Sequence, residues 1–176
     1  MSILKVARLG HPAIRRKADP VGEGEIHSQE IQALVRQMID SMHEHDGVGI
    51  AAPQVHVSKQ IAVIKVQNNP RYSDAPEIPL TVLINPKIIQ HSRIKEDGWE
   101  GCLSIPDLRG VVPRYQSVVC KALNQHGELV TIDAKGFFAR VIQHECDHLE
   151  GRVYLDRMND LTTLTHLAEF SKFWDR

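Results

Sequence analysis

Apolar residues recur at helical spacing in the segment that follows Ser28. Five of them lie three or four positions apart and form one stripe: Ile31, Leu34, Val35, Met38 and Met42. The hydroxyl of Ser28 is suited to cap the first turn of a helix, and the pattern stops before Gly47. The segment is therefore predicted to be a long amphipathic helix that packs on a core through this stripe.

Four runs of apolar and β-branched residues predict strands. Residues 60–66 form one buried run, and residues 80–89 form a second run that Pro86 interrupts. Residues 117–123 and 128–132 flank a short turn sequence and predict a hairpin. These runs are short and are not separated by regular helical segments, so the pattern favours antiparallel pairing over a βαβ fold.

The remaining segments complete a prediction of an α+β fold. Residues 68–79 contain three prolines and predict a loop. Residues 47–54 match neither a helix nor a strand pattern, although their two glycines would let the backbone approach another group closely. A C-terminal helix is predicted over residues 161–173. We expect short, mostly antiparallel strands around a central helix that follows Gly136 and runs to about Leu149, with no internal repeat.

Length and charge limit the class of protein. A chain of 176 residues can bury a core without disulfides, and we expect a single domain over residues 1–176. The formal net charge is -1, so no overall field attracts nucleic acid or an anionic membrane. There is no signal-peptide pattern or membrane-spanning apolar run, and the three cysteines contain no CxxC pair, which together predict a cytoplasmic protein.

The central helix carries the residues with the clearest chemistry. His144 and His148 are four positions apart, so both imidazoles can reach one metal ion from the same helix face. Glu145 lies within the apolar stripe of this helix, where burial would raise the pKa of its carboxyl and a nearby dication would lower it. Asp147 falls on the opposite side and is predicted to be a solvated surface acid. The HExxH pattern indicates metal-assisted hydrolysis.

Two histidines need a further ligand, and spacing alone leaves several candidates. A histidine six residues after the second one would complete a metzincin site, but Tyr154 occupies that position. Glu169 could serve as in thermolysin-like peptidases, and Cys102 could give a Cys-His-His site with one open position. Cys146 lies on the helix away from the histidines. A closed structural zinc site would require a fourth protein ligand.

Three separated segments resemble the signature motifs of the peptide deformylase family, in the family's order. They are Gly-Val-Gly-Ile-Ala-Ala-Pro-Gln at residues 47–54, Glu-Gly-Cys-Leu-Ser at residues 100–104, and Gln-His-Glu-Cys-Asp-His at residues 143–148. The resemblance begins at the Leu-Gly-His-Pro segment of residues 9–12 and extends to about Asp156. It implies a catalytic domain that hydrolyses the N-formyl group of formylmethionine on newly made polypeptides and releases formate.

The resemblance also assigns roles at the metal site. Cys102, His144 and His148 would bind the metal, and Glu145 would be the general base that later protonates the departing nitrogen. The Gln54 side-chain amide and the Leu103 backbone N–H would be the donors to the oxyanion. A thiolate with two imidazoles suits Zn²⁺, whereas the family resemblance implies Fe²⁺, with Zn²⁺, Ni²⁺ or Co²⁺ as substitutes.

The substrate contacts implied by the resemblance lie on both sides of that site. Gly49 would pair with the substrate backbone, Arg109 would meet the peptide further along, and the methionine side chain would enter an apolar pocket made by Val48, Phe137 and Val141. Arg140 takes the place of an apolar pocket residue found in some members, and its helical position predicts a solvent-facing side chain.

The expected partners are N-formylmethionyl nascent peptides. Some members of the family dock on the ribosome through a basic C-terminal extension, but here residues 164–176 are nearly charge-balanced. We therefore expect at most transient ribosome contact, a monomeric protein, and no specific nucleic-acid or membrane partner.

Overall fold

The computed structural model describes residues 3–72 and 75–175, so residues 73 and 74 of the predicted loop lie outside it. Three α-helices are found in these ranges: α1 Gln29–Glu44, α2 Gly136–Leu149 and α3 Leu167–Phe173. The strands in the same ranges are β1 Gly49–Ala51, β2 Ile61–Val66, β3 Ile78–His91, β4 Lys95–Cys102, β5 Ile105–Tyr115, β6 Ser117–Leu123, β7 Leu129–Lys135 and β8 Thr165–His166. Across the described ranges, we find no helix with the length and apolar character needed to cross a bilayer.

The strands form two sheets with α2 packed between them. One sheet has the order β1-β2-β3-β6-β7 and the other has the order β4-β5-β8. All strand pairs between these elements are antiparallel. Ala139, Val141 and Ile142 of α2 pack in one apolar cluster with residues of β2, β3 and β6. Mixed α+β structure with antiparallel sheets, as predicted, is confirmed.

Helix α1 follows the prediction from its apolar spacing. The Ser28 hydroxyl accepts a hydrogen bond from the Ile31 backbone N–H at 3.2 Å, which caps the first turn. All five residues of the predicted stripe are buried in the largest apolar cluster, together with residues of β1 and β2. The stripe therefore anchors α1 to the edge of the five-stranded sheet that leads to the site.

Strand β3 continues past Pro86, and a bulge forms the interruption that the sequence predicts there. Asn85 has a left-handed backbone (φ 52°), and the register with β6 shifts between Ile84 and Lys87. This bulge removes Pro86 from the regular ladder, so its missing N–H breaks no regular pair. The Asn85 side chain donates to the Val21 carbonyl oxygen and accepts from the Val21 N–H, both at 2.8 Å. The strand therefore continues to His91.

Two strands near the site were not predicted. Gly49–Ala51 pairs with residues 62–64 of β2 as a short edge strand, so residues 47–54 are not wholly irregular. Residues 95–102 form β4, although they contain few apolar residues, because β5 supplies the hydrogen-bonding partner along nearly their whole length. The β4–β5 hairpin turns directly after Cys102. Long-range pairing, which local composition does not reveal, therefore determines where Cys102 lies.

Helix α3 begins at Leu167, six residues later than predicted. Thr165 and His166 instead pair with Arg109 and Leu108 of β5. The hydroxyl of Thr163 accepts a hydrogen bond from the Val111 N–H at 3.1 Å. These contacts hold the chain in an extended conformation before α3, and the predicted helix at 161–173 is wrong in its first half.

Candidate active site

The two histidines of α2 lie side by side, as their spacing predicts. The Nε2 atoms of His144 and His148 are 3.2 Å apart. Helix α2 starts at Gly136, whose φ of 56° lets the chain turn directly from β7 into the helix. Beyond its end, Gly151 has a φ of 72°, and a Cβ there would lie 2.6 Å from the Arg15 carbonyl oxygen. Glycine at both positions therefore fixes how the helix presents its histidines.

Cys102 completes a compact cluster of metal-ligating atoms. Its Sγ lies 3.3 Å from His148 Nε2, and the three candidate ligand atoms lie within 4.8 Å of one another. Neighbouring ligands of a tetrahedral zinc-like site, with metal–sulfur and metal–nitrogen distances near 2.3 and 2.0–2.1 Å, are about 3.3–3.6 Å apart. The three side chains therefore have the spacing and the chemistry that a divalent metal requires.

The electrostatics of the cluster favour a thiolate. Burial acts to raise the pKa of the Cys102 thiol, but His148 and His144 outweigh it and hold this pKa well below its usual value. Burial likewise opposes the charge on His144, yet Cys102 and Glu100 raise the pKa of its imidazole well above the ordinary range. The cluster thus stabilises the deprotonated sulfur that a metal would bind.

Glu100 orients His144 from the side away from the cluster. Its carboxylate oxygen Oε2 lies 2.9 Å from His144 Nδ1. Arg114 and Arg140 form ion pairs with the same buried carboxylate. Burial acts to raise the pKa of Glu100, but hydrogen bonds from His144 and Arg114 hold it far below its usual value. Sequence reasoning missed this role, although residues two apart on one strand, such as Glu100 and Cys102, share a face.

Glu145 lies in an apolar environment next to the histidines. The side chain is 3% exposed, and Oε2 has no hydrogen-bond partner among the described residues. Burial raises the pKa of its carboxyl to about 7, despite the opposing effect of His144 and His148. The predicted upward shift is thus confirmed for the metal-free protein, and a carboxyl with such a pKa can exchange a proton near neutral pH.

Gln54 and Leu103 both lie next to Cys102. Gln54 belongs to a 3-10 helix, Ala52–Val55, and its Oε1 accepts from the Ala51 N–H at 2.8 Å. Its Nε2 is therefore directed away from its own backbone and lies 3.5 Å from Cys102 Sγ. Leu103 follows Cys102 in the turn between β4 and β5. Both residues line the cavity above the cluster.

The predicted substrate-binding residues Val48, Gly49, Phe137 and Val141 line that same cavity, together with Tyr72 and Trp99. In this cavity, Phe137 and Val141 of the N-terminal half of α2 face Val48 and Gly49 at the start of β1. The pocket is largely apolar on this side. Sequence reasoning missed Tyr72 and Trp99, because nothing local marks a loop tyrosine or a strand tryptophan as part of a pocket.

Arg109 lies in an adjoining cavity and is only 3% exposed. Its guanidinium carbon is 4.6 Å from the centroid of the Tyr72 ring and 5.2 Å from that of the Phe170 ring. Nη2 donates to the Arg71 carbonyl oxygen at 3.2 Å. The arginine therefore supports Tyr72 at the rim of the candidate site, and its contact with a peptide stays a prediction.

Arg140 is not solvent-facing as its helical position predicted. Its guanidinium donates to the carbonyl oxygens of Glu96 and Val112 at 2.7 Å and to Glu100 Oε1 at 2.9 Å. A Cβ at Gly98 would lie 2.7 Å from Arg140 Nη2, so the glycine leaves room for this side chain. The arginine thus connects α2 to β4 and β5.

Asp147 is also buried, contrary to its predicted role as a surface acid. Its carboxylate pairs with Arg114 of β5 and with Arg157. The face of α2 opposite the five-stranded sheet meets the β4–β5 sheet, so this helix has no broad solvent side. Asp147 therefore links α2 to the strand that also supports Glu100.

The other candidate ligands lie outside the cluster. Glu169 is exposed on α3, and Cys146 packs in the apolar cluster that contains Cys120. Tyr154 is buried in a short 3-10 helix, Tyr154–Arg157. Within the described residues, the cluster of Cys102, His144 and His148 is the group placed to hold a metal ion. The geometry does not favour the thermolysin-like alternative or a closed site with four protein ligands.

Replacing Gly49 by alanine is expected to lower activity by about 100-fold or more, because small displacements of reacting groups have effects of that size. A Cβ at this position would collide with Glu145 Oε1 and lie 2.8 Å from its carboxyl carbon. The carboxylate would have to leave its buried position beside the histidines. Steady-state kinetics, with Gly24→Ala as control because a Cβ there meets nothing within 4 Å, checks this result. Equal activity of both variants would contradict it.

Comparisons with known proteins show which family the chain resembles. The family model described as polypeptide deformylase matches residues 3–163. Peptide deformylase 2 of Ralstonia nicotianae is 46% identical over 160 residues, which cover 91% of this chain and 89% of that protein. Peptide deformylase 1 of Bordetella pertussis is 45% identical over 157 residues, which cover 89% of this chain and 88% of that protein.

Solved structures give the same result. The Met-Ala-Ser-bound class I type b peptide deformylase of Acinetobacter baumannii superposes with a TM-score of 0.86 at 43% identity, covering 89% of this chain and 99% of that chain. The actinonin-bound structure of the enzyme from the same organism gives a TM-score of 0.82 at 38% identity, covering 90% and 100%. The match in sequence, in fold and in length leads to one conclusion: this chain belongs to the polypeptide deformylase family of metal-dependent hydrolases.

Proposed function

We propose that Cys102, His144 and His148 bind one divalent metal, and that the site removes the formyl group from N-terminal formylmethionine. The observation that carries the proposal is the cluster of one thiolate and two imidazoles beside the buried Glu145. When bound, the metal supplies Lewis-acid activation of water and of the formyl oxygen. Iron(II) is the metal we propose from the family resemblance, with Zn²⁺, Ni²⁺ or Co²⁺ as substitutes.

Glu145 carries the proton through the reaction. Its carboxylate accepts a proton from the attacking water as the new carbon–oxygen bond forms at the formyl carbon. It then donates this proton to the amine nitrogen as the carbon–nitrogen bond breaks, which yields formate and a free N-terminus. Burial acts to raise the pKa of this carboxyl and a bound dication would lower it, so the same group can accept the proton and then release it.

Two donors stabilise the charge that develops on the formyl oxygen. The Gln54 side-chain amide is held by the bond from the Ala51 N–H to its oxygen, which directs its nitrogen toward Cys102 Sγ and Ser104 Oγ beside the cluster. The Leu103 N–H approaches from the turn after β4. Donors fixed in advance lower the barrier because they need no reorganisation as charge develops, and one such donor typically contributes about 3–4 kcal/mol.

The substrate backbone would lie between β1 and β4. Gly49 at the edge of the five-stranded sheet offers backbone groups there, and its lack of a side chain keeps the path to Glu145 open. The methionine side chain would enter the apolar cavity of Val48, Phe137 and Val141. The related enzyme from Acinetobacter baumannii was solved with Met-Ala-Ser, the sequence of a deformylated product.

Formate release from formyl-Met-Ala-Ser tests the proposed function. The protein is loaded anaerobically in separate samples with Fe²⁺, Ni²⁺, Co²⁺ and Zn²⁺. Formate is measured with the formyl peptide, and release of the free N-terminal amine is measured with this peptide and with acetyl-Met-Ala-Ser, the matched control. We expect formate from the formyl peptide and no hydrolysis of the acetyl peptide. Absence of formate with every one of the four metals would overturn the proposal. The order of activity among the metals, and its loss in air, tests the assignment of iron.

Replacing Glu100 by glutamine is expected to weaken metal binding by about 10- to 100-fold, the usual effect of losing an outer hydrogen-bond partner of a ligand. A neutral amide cannot hold the charge and orientation of His144 as the carboxylate does. Metal affinity is measured by competition with a chelator. Glu96→Gln serves as control, because Glu96 contacts Arg140 through its backbone carbonyl and its side chain is exposed. Unchanged affinity in Glu100→Gln would argue against this role.

The biological setting remains part of the proposal. We infer that residues 1–176 form a single catalytic domain that acts as a monomer in the cytoplasm on nascent chains, with transient ribosome contact. The antiparallel sheets share α2 as a common packing partner, which supports one domain. Size-exclusion chromatography with light scattering tests the monomer, and a dimer mass at micromolar concentration would contradict it.

A further inference from the structure

Three aromatic side chains, Tyr72, Trp99 and Phe137, form one wall of the candidate site. The same three side chains also line the adjoining cavity, which encloses about 410 Å³, so this aromatic wall separates the two spaces. Tyr72 and Phe137 contact each other, with ring centroids 5.2 Å apart. Because a cavity lies behind it, the aromatic wall lacks the close packing of a core on that side, and its position depends on the few side chains that reach it there.

Phe170 of α3 reaches the aromatic wall from the adjoining cavity. Its ring meets the Trp99 ring edge to face, with the centroids 5.0 Å apart, an arrangement that aromatic pairs favour. The Phe170 ring centroid also lies 5.2 Å from the guanidinium carbon of Arg109, and the same carbon lies 4.6 Å from the centroid of the Tyr72 ring. One side chain of α3 thus supports the wall twice, at Trp99 directly and at Tyr72 through Arg109.

The strand before α3 fixes Phe170 in this position. Strand β8 pairs with Leu108 and Arg109 of β5, so the segment that leads into α3 is tied to the strand that carries the arginine. Phe170 is 9% exposed, whereas Phe173, about one helical turn further along, is 50% exposed. The helix therefore directs one phenylalanine toward the aromatic wall and the other toward solvent.

Burial makes the contact between Arg109 and Tyr72 depend on Phe170. Arg109 is 3% exposed, and its Nε has no hydrogen-bond partner among the described residues. The two aromatic rings attract the guanidinium by cation–π interaction, which is stronger where the cation is shielded from water. Without the Phe170 ring, water in the adjoining cavity would reach the guanidinium and weaken its hold on Tyr72.

We propose that Phe170 is a positioning residue that holds the aromatic wall in place and thereby sets the preference of the site for methionine over smaller first residues. The inference rests on the proposed function, because that function places the methionine side chain against Phe137. A fixed wall packs closely against a long apolar side chain, whereas an alanine side chain is too short to reach it. Helix α3 lies beyond residues 3–163, which match the family model, so this model assigns Phe170 no role.

Formate release from formyl-Met-Ala-Ser and from formyl-Ala-Ala-Ser tests the proposal, with the most active of the four metals bound. In Phe170→Ala we expect the ratio of the two kcat/KM values, methionine over alanine, to fall about three- to tenfold, the effect typical of losing one aromatic pair. The loss should fall on KM for the methionine peptide with kcat unchanged, because Phe170 acts on the side-chain pocket and not on Glu145 or the metal cluster. The kcat/KM value for the alanine peptide should stay close to that of the wild type.

Three further variants separate this role from a merely structural one. A damaged fold would lower the active fraction and reduce both kcat/KM values equally, which leaves their ratio unchanged. Phe170→Leu keeps an apolar side chain in place and should lower the ratio in the same direction, so the test does not depend on the alanine variant being soluble. Phe170→Tyr keeps the ring and should retain the ratio. Phe173→Ala, the matched control on the exposed side of α3, should also retain it.

The outcomes for this inference and for the proposed function are distinct. No preference for the methionine peptide in the wild type, an unchanged ratio in both Phe170→Ala and Phe170→Leu, or an equal fall in Phe173→Ala would overturn the role of Phe170. Formate release from the methionine peptide by the wild type supports the proposed function whatever the ratios of the variants. Formate from neither peptide with the wild type would overturn the proposed function and this inference with it.

Discussion

Replacing Glu145 by glutamine is expected to lower kcat by about 10²- to 10⁴-fold, the range for loss of a positioned general acid–base. Glutamine keeps the volume of the side chain, so the buried space around it stays filled. Its amide cannot accept the proton of the attacking water or deliver one to the departing nitrogen. The loss should fall on kcat, because the metal cluster and the methionine pocket are retained.

Two measurements separate this result from a damaged site. Metal content by elemental analysis and the melting temperature should remain near the wild-type values. Glu150→Gln, just beyond the end of the same helix, removes an exposed carboxylate that pairs with Lys17 and should leave kcat unchanged. If Glu145→Gln with a full metal complement retains kcat within threefold of the wild type, Glu145 is not the proton carrier.

Replacing Asp147 by alanine is expected to lower the free energy of unfolding by about 3–5 kcal/mol, the usual result of removing one partner of a buried ion pair. Asp147 and Arg114 are both nearly inaccessible to solvent, and Arg157 binds the same carboxylate. Without Asp147, the Arg114 guanidinium keeps only Glu100 as a carboxylate partner. The positive charges buried between α2 and β5 are then no longer balanced.

Urea unfolding monitored by circular dichroism measures this loss. Glu150→Ala is the matched control, because the Lys17–Glu150 pair is largely exposed and such pairs contribute about 0–1 kcal/mol. A loss below about 1 kcal/mol in Asp147→Ala would show that the buried network adds no more than a surface pair. Metal-free samples should be compared, since a bound metal adds its own stabilisation.

The lowered pKa of Asp147 predicts part of the loss of stability at acid pH. Burial acts to raise the pKa of Asp147, but Arg157 and Arg114 outweigh it and hold this pKa below the ordinary value. Its stabilising contribution is therefore complete above the pKa of the unfolded chain, near 4. The contribution is lost as pH falls through the lower folded value. Asp147→Ala should accordingly lose less stability than the wild type below pH 4.

Local spacing predicted the elements whose chemistry depends on near neighbours. His144 and His148 must share a face of any α-helix that contains both, and the apolar stripe of α1 must be buried on some core. The family motifs added Cys102, which spacing had left as one of several candidates. The β6–β7 hairpin was likewise predictable, because its two strands adjoin one short turn.

The errors arise where a residue depends on distant parts of the chain. The sequence predicted solvent-exposed side chains for Asp147 and Arg140, because a helical wheel assumes that only one side of the helix is packed. In the structure, both sheets cover α2. Glu100 escaped notice because its partners lie 14 and 44 positions away in the chain. The predicted start of α3 was wrong because residues 165 and 166 pair with β5, and this pairing competes with helix formation.

The sequence by itself determined the candidate reacting groups of this protein: a histidine pair with its glutamate on one helix, and two further motifs that identify the family. Helical geometry and short turns act within a few residues, so these features needed no knowledge of the rest of the fold. The tertiary structure alone decided how Cys102 meets the histidines, which arginines balance the buried carboxylates, and which cavities flank the site. Those features depend on contacts between residues far apart in the chain, which local patterns do not encode.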